Sequence, residues 1–371
     1  MVSARVSGPV ARQRFPGFDA LRIAAACTVV FSHSFLIAEG TEANEPSQRL
    51  TGEILGIYAV FVFLMLSGFL VAASAKHSSS AWSFAAKRIR RVYPAFFVSC
   101  VAIVAVVCSV FATAGPADFL TDRRTWATTF DVVTFRDDDL FFWGVSFYEP
   151  GPAGLAHLDH VASGVLWTIG AEVACYVFLA AMMFLRSTGT RAVLVGTLLC
   201  LALNLFPALR VNEQLEALAF LAPSFVVGLA AHSFLAHRPI PAWVAATSAC
   251  LLVIAACALP GWQTAEIALF PLLFAAPLLW LGRLDGPVLR GLRRLGDPSY
   301  GIYLWAWPIQ QVARAVVGDG WSGYALAALS LPFAVAAGYA SWHAIERPAL
   351  SARFAPPAWL AVSPSRQGRD S

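Results

Sequence analysis

Residues 54–75 read ILGIYAVFVFLMLSGFLVAASA, an unbroken apolar stretch without one charged side chain. A helix that crosses the hydrocarbon of a bilayer needs about 20 such residues. Its backbone amides are then satisfied within the segment, as lipid requires. No period-two alternation runs through the stretch, so a barrel strand does not fit. Stretches of the same kind occur at 18–38, 94–114, 162–185, 190–207, 215–236, 241–259, 264–282, 298–317 and 323–345. Of the 371 residues, 58% are hydrophobic and 13% charged. A soluble chain is nearer half apolar and a quarter charged. So few charges cannot coat a soluble surface, and the same figures exclude a disordered chain. The expected fold class is all-α, a polytopic membrane helix bundle of about ten transmembrane helices.

Charge placement orients the bundle. With a cytoplasmic N-terminus, 19 of the 26 Lys and Arg fall on inside segments, six fall outside, and Arg22 lies within the first span. This is the positive-inside bias. An even number of spans places both termini in the cytoplasm. Three regions are expected: a cytoplasmic N-terminal segment at 1–17, the membrane domain at 18–348, and a disordered cytoplasmic tail at 349–371. The expected location is the cell membrane, as a multi-pass protein of the bacterial inner-membrane kind. The first apolar run is longer than a secretory signal core and carries Asp19, Arg22 and His33, so it reads as a retained helix. The net charge of +4 is no nucleic-acid footprint. The basic residues sit at cytoplasmic helix ends, where anionic lipid attracts them, so membrane lipid is an expected partner. The seven cysteines fall in apolar stretches without a CxxC and read as small buried hydrophobes. The long loop, 116–161, lies outside; loops of that size are usually functional.

A charge in hydrocarbon is expensive and marks a functional candidate. Arg22 and His33 are eleven positions apart, about three turns and about 16 Å along one helix face. Asp19 precedes Arg22 by three residues on the same side. Glu172 enters from the outer side to a depth of about 15 Å, similar to that of His33. An imidazole beside a carboxylate suits a general base and its orienter. A structural ion pair between helices fits the spacing equally well. Arg88 and Arg91, within Lys87-Arg88-Ile89-Arg90-Arg91, stand at i and i+3 and project to one side. Arginine forks suit phosphate oxygens; a plain positive-inside anchor is the alternative. Ser299, Tyr300 and Tyr303 open the ninth stretch ahead of Pro308, either lining a cavity or forming an aromatic belt. Gly318-Asp319-Gly320-Trp321-Ser322-Gly323 matches GxGxxG by letter but follows no strand and opens no βαβ unit, so it binds no dinucleotide. His157, Asp159 and His160 are a weak metal signal, and no metal is expected.

Taken in order, these residues resemble the acyltransferase-3 family of integral membrane O-acyltransferases. The resemblance begins at Phe18-Asp19-Ala20-Leu21-Arg22 with His33. It continues through Val60 to Phe69, which includes Ser67, and through Arg88, Arg91, Tyr93 and Pro94. Next comes Leu166-Trp167-Thr168-Ile169-Gly170-Ala171-Glu172, then Ser299-Tyr300 with Tyr303-Leu304. Ile345-Glu346-Arg347-Pro348 closes the last span. It covers about residues 15–350. Many relatives have a His where this chain has Ala306, which reads as the mark of a subgroup. The resemblance implies transfer of an acyl group, often acetyl, from cytoplasmic acyl-CoA to a hydroxyl, usually on a glycan or glycolipid. Acyl-CoA, foremost acetyl-CoA, is then the donor. Arg22, Arg88 and Arg91 would hold its phosphates and His33 would act as base or acyl carrier. Glu172 would steady the imidazole. Ser67 and Tyr300 would polarise the carbonyl, with Asp19, Trp167, Thr168, Ser299 and Tyr303 as further motif positions. Two other classes fit a bundle with few buried charges. A transporter predicts internal repeats, and none is evident. A lipid-linked glycosyltransferase would use Asp137, Asp138 and Asp139 as metal ligands.

Overall fold

The computed structural model describes residues 15–148, 157–259 and 261–351. Residues 1–14 of the expected N-terminal segment (1–17) and 352–371 of the expected tail (349–371) lie outside these. The described chain is almost wholly helical. Its long helices are α1 Phe18–Glu39, α2 Leu55–Lys76, α3 Ala81–Ala102, α4 Trp167–Phe184, α5 Thr190–Leu205, α6 Glu213–Ala230, α7 Ala242–Ala258, α8 Trp262–Gly282, α9 Ser299–Val317 and α10 Gly323–Ser341. Three run on through a wider π-helical turn: α3 to Cys108, α6 to Leu235 and α10 to Glu346. Beyond α10, Arg347–Ser351 is again α-helical, so helix crosses the domain boundary expected at 348.

Among the described residues, seven helices are long and apolar enough to cross a membrane: α1, α2, α3, α4, α6, α8 and α10. The remaining three expected spans are also helices but differ in kind. α5 has 16 residues and α7 has 17, or about 24 and 26 Å, short of a core of about 30 Å. α9 has 19 residues, and its apolar average is lowered by Gln310, Gln311 and Arg314, all buried. These side chains turn inward. Gln310 Nε2 donates to Val30 O and Ser34 Oγ of α1, each at 2.6 Å. Gln311 Nε2 donates to Leu158 O and Val161 O.

The third span differs from its expected start at 94. α3 begins at Ala81, capped by Ser80 Oγ accepting from Ser83 N. The basic run Lys87–Arg91 therefore lies on the helix rather than before it. Long basic side chains permit this, because their stems lie on apolar surface while the heads reach polar surroundings.

Close helix approach fixes the centre. A Cβ on Gly68 of α2 would stand 2.1 Å from Phe225 O of α6, and one on Gly228 would stand 2.0 Å from Met65 O. Two backbones touch there, as small residues allow in membranes. α1 packs on α2, α9 and α10, while α6 also meets α4, α5 and α8. The outer loop is structured: helices Pro116–Thr121 and Arg123–Val133 precede strand β1 (Leu140–Phe141), which pairs antiparallel with β2 (Val161–Ser163). His160 Nδ1 hydrogen-bonds Val145 O, and Ser146 Oγ donates to Asp159 Oδ2 at 3.3 Å.

Candidate active site

Five helices line a partly open cavity of about 80 Å³. α1 contributes Arg22 and α2 contributes Phe63 and Ser67. α3 contributes Arg88 and Arg91, α4 contributes Thr168, Glu172 and Tyr176, and α9 contributes Ser299, Tyr300 and Tyr303. Nine positions singled out in the sequence thus meet at one place, although they lie up to 281 residues apart in the chain. Helical spacing explains each set. Thr168, Glu172 and Tyr176 are at i, i+4 and i+8 on α4. Tyr300 and Tyr303 are at i and i+3 on α9.

One wall is an ion-pair network. Asp297, just before α9, accepts from Arg22 Nη1 at 2.7 Å and Arg91 Nη2 at 2.6 Å. Arg91 Nη1 reaches Glu346 Oε2 at 2.8 Å, and Ser341 Oγ donates to Glu346 Oε1. Ser299 Oγ donates to Asp297 Oδ1 at 2.5 Å. Burial alone would raise the Asp297 pKa, but Arg22, Arg91 and the Ser299 hydrogen bonds hold it down at about 2. Asp19 meets this group by charge, facing Arg22 and Asp297. Arg88 differs from its neighbours. No carboxylate lies within ion-pair distance of it among the described residues. Its Nε is buried without a hydrogen-bond partner, and its guanidinium lies 5.9 Å over the Tyr176 ring.

The opposite wall is a hydroxyl–carboxylate cluster. Glu172 Oε1 accepts from Ser67 Oγ at 2.7 Å and from Tyr176 OH at 2.5 Å, and the two hydroxyls are 2.9 Å apart. Above it, Tyr303 OH donates to Val165 O at 2.7 Å and lies 2.6 Å from Thr168 Oγ1. Tyr300 OH donates to Val92 O at 3.2 Å.

His33 is not among the residues that line this cavity. Its ring stands edge-on to Trp307 with centroids 5.1 Å apart, one level further along α9 than Tyr303. Trp307 is held by its Nε1 donating to Val161 O at 3.0 Å. His33 is half-buried and its Nδ1 has no hydrogen-bond partner. No hydrogen bond joins His33 to Glu172 among the described residues; the bonds that Glu172 makes run from Ser67 and Tyr176 to its Oε1. Trp167 also stands elsewhere, lining an outer pocket with Asp138, Asp139, Glu213 and Glu216. Ala306 is 3% exposed and packs with Ala26, Val30, Ile302 and Ala334. That position belongs to an apolar cluster and does not line the cavity.

Tyr176, Asp297 and Glu346 were not assigned roles from sequence. Tyr176 had a usable signal, one turn after Glu172 on the same face. Asp297 had none beyond its place two residues ahead of Ser299.

A profile of the acyltransferase domain, Acyl_transf_3, matches residues 15–343. The chain belongs to the acyltransferase-3 family. This acyltransferase is 28% identical over 365 residues to nodulation protein 10 of Rhizobium leguminosarum bv. viciae, covering 91% of the chain and 93% of the relative. It is 26% identical over 341 residues to the O-acetyl transferase of Shigella phage Sf6, covering 89% and 94%. No solved structure matches significantly. The acyltransferase is thus a multi-pass membrane enzyme that transfers acyl groups to oxygen. Its cavity combines an arginine whose buried Nε is unpartnered, clustered hydroxyls and a carboxylate, groups able to stabilise charge at a carbonyl.

Proposed function

We propose that the enzyme transfers an acetyl group from cytoplasmic acetyl-CoA to a hydroxyl of a glycan or glycolipid. The observation that carries this reading is Arg88, whose buried Nε has no hydrogen-bond partner and whose guanidinium lines the cavity that holds the motif residues. An anionic donor supplies the missing partner. Arg22 and Arg91 line the same mouth. A guanidinium has five N–H donors, so each keeps donors for phosphate oxygens beyond its ion pairs. The named relative from phage Sf6 is an O-acetyl transferase, which favours acetyl. In this reading the bundle has ten spans, both ends are cytoplasmic, and the enzyme sits in the bacterial inner membrane with lipid as its solvent.

His33 serves as base. Its free Nδ1 or Nε2 takes the acceptor hydroxyl proton, the alkoxide oxygen attacks the thioester carbonyl, and the C–S bond breaks. The proton goes on to the CoA thiolate. Transfer through an acyl-imidazole keeps the same balance in two steps. Ser67, Tyr176 and Tyr300 hold the thioester end, and Glu172 fixes the Ser67 and Tyr176 hydroxyls. Trp167 and the outer acidic pocket lie on the acceptor's route past the 116–161 loop.

Mass spectrometry of surface glycans and glycolipids tests this in cells with the wild-type chain and with His33→Ala at equal protein level. The wild type adds one acetyl mass and the variant adds none. Equal acetylation in both would remove His33 as base, and no acetyl gain with the wild type would remove the glycan reading.

A further inference from the structure

The connection between α8 and α9 holds one further helix, Pro287–Leu295, which reads PVLRGLRRL. Helical periodicity puts Val288, Leu289, Leu292 and Leu295 on one side and Arg290, Arg293 and Arg294 on the other. None of its nine residues is buried. Val288 is 73% exposed and Leu295 54%, so the apolar side has little protein over it. The three arginines are exposed as well. Among the described residues their one ion pair runs from Arg290 Nη1 to Asp285 Oδ2, at 3.9 Å and half open on both sides. The helix rests on α1, where Arg293 is close enough to Asp19 for the two charges to interact.

The far end of this helix is tied to the cavity mouth. Gly296 follows it with φ 106°, and a Cβ there would stand 2.0 Å from Trp342 Nε1. The backbone thus presses on an indole whose ring lies 5.7 Å from the Arg91 guanidinium. The next residue is Asp297, which takes Arg22 and Arg91. A shift of the helix therefore reaches the mouth arginines within two residues of chain.

We infer that the 287–295 helix lies in the inner-leaflet interface, with its apolar side among acyl chains and its arginines on anionic phospholipid headgroups, and that this anchorage holds the Asp297 network in place. The inference needs α8 and α9 to meet one leaflet, as the ten-span reading has it, and is independent of donor and acceptor. Both flanking helices then bring the chain to the same membrane face, which leaves the connection at the boundary of hydrocarbon and water. A basic amphipathic helix settles there with its apolar side about 5–10 Å deep. Each arginine near an anionic surface adds about fivefold to the attraction. The single acid beside them, Asp285, offsets only part of that charge. Uncharged headgroups would leave the arginines without a counter-charge, so the lipid that fits this surface is anionic.

The full chain is placed in nanodiscs of phosphatidylcholine alone and of phosphatidylcholine with one third phosphatidylglycerol. A spin label on Val288→Cys, in a cysteine-free background, reports depth through its relaxation by oxygen against a water-soluble nickel chelate. With phosphatidylglycerol the oxygen-to-nickel ratio should rise at least threefold, and the melting temperature should rise with it. The exposed triple variant Arg290→Gln, Arg293→Gln, Arg294→Gln should lose both gains. Where that variant fails to fold, the unsubstituted arginines at high ionic strength give the second reading, because salt screens headgroup charge and should abolish the gains. Equal depth and melting in the two lipids, or a label that stays in water in both, overturns the inference. A gain in depth with melting unmoved overturns the hold on the Asp297 network. CoA titrated into the phosphatidylcholine discs tests the rival occupant. Wild type and triple variant should bind it alike, and a tenfold loss in the variant assigns these arginines to donor phosphates and overturns the inference.

Discussion

Arg88 and Arg91 lie one turn apart on α3, yet their surroundings differ. Arg91 is held by Asp297 and Glu346, whereas Arg88 has an aromatic face and an empty donor position. Their alanine variants should therefore separate. Arg88→Ala should keep the fold and raise KM for acyl-CoA about 10- to 100-fold, the worth of a charge-assisted hydrogen bond at about 1.5–3 kcal/mol. Arg91→Ala leaves two carboxylates short of a partner and should destabilise by about 3–5 kcal/mol. Melting in detergent alongside donor titration checks both, and a KM effect confined to Arg91 would reverse the assignment. A second residue-scale prediction concerns Asp139 in the outer loop. Burial, with Asp138, Asp137 and Glu213 nearby, pushes its pKa up to about 7. An unfolded aspartate ionises near 3.9, so the folded state loses stability as pH rises from about 4 through 7. Asp139→Asn should raise the melting temperature at pH 8 and leave it nearly unchanged at pH 4. A gain at pH 4 as large as at pH 8 would locate its origin in packing.

Helix positions followed from apolar runs because lipid leaves a chain little choice of backbone. Helix contacts did not, since one apolar face looks like another in sequence. Gly68 and Gly228 illustrate this. Each is a modest letter in a long hydrophobic string, but together they let α2 and α6 touch backbone to backbone. Gly228→Val drives a side chain into Met65 O and should destabilise by about 1–3 kcal/mol. It should also impair turnover, because α2 carries Ser67 and Phe63 into the cavity. Unchanged melting and turnover would show that the two helices can part freely. The start of α3 was misplaced by more than three turns for a related reason. Hydropathy marks where a helix enters hydrocarbon, and a capped amphipathic beginning lies beyond its reach. The motif residues were legible as a set, and nine of them do converge. Their partners were not legible. Glu172 pairs with Ser67 and Tyr176 rather than His33, a matter of helix rotation that depth along the membrane does not encode.

At the scale of the molecule, the proposed topology makes a direct test. The α1–α2 connection carries exposed Thr41, and the α2–α3 connection carries exposed Ser79. In a cysteine-free background, Thr41→Cys should react with a membrane-impermeant maleimide on intact cells. Ser79→Cys should react only after permeabilisation. The reverse pattern would invert the bundle and place Arg88 on the outer side, away from cytoplasmic donor. The whole-molecule charge bias predicts this orientation, whereas the Asp297 network needed three dimensions to emerge.

That network also sets a clock on biogenesis. Arg91 leaves the ribosome 206 residues before Asp297 and 255 before Glu346. At about 5–20 residues per second, the early helices wait roughly 10–50 s with a guanidinium lacking its acids. The nascent protein must shelter that charge in the insertion machinery or in headgroups. A ribosome that stops before α10 releases a bundle whose arginine never finds Glu346, a ready mark for membrane quality control.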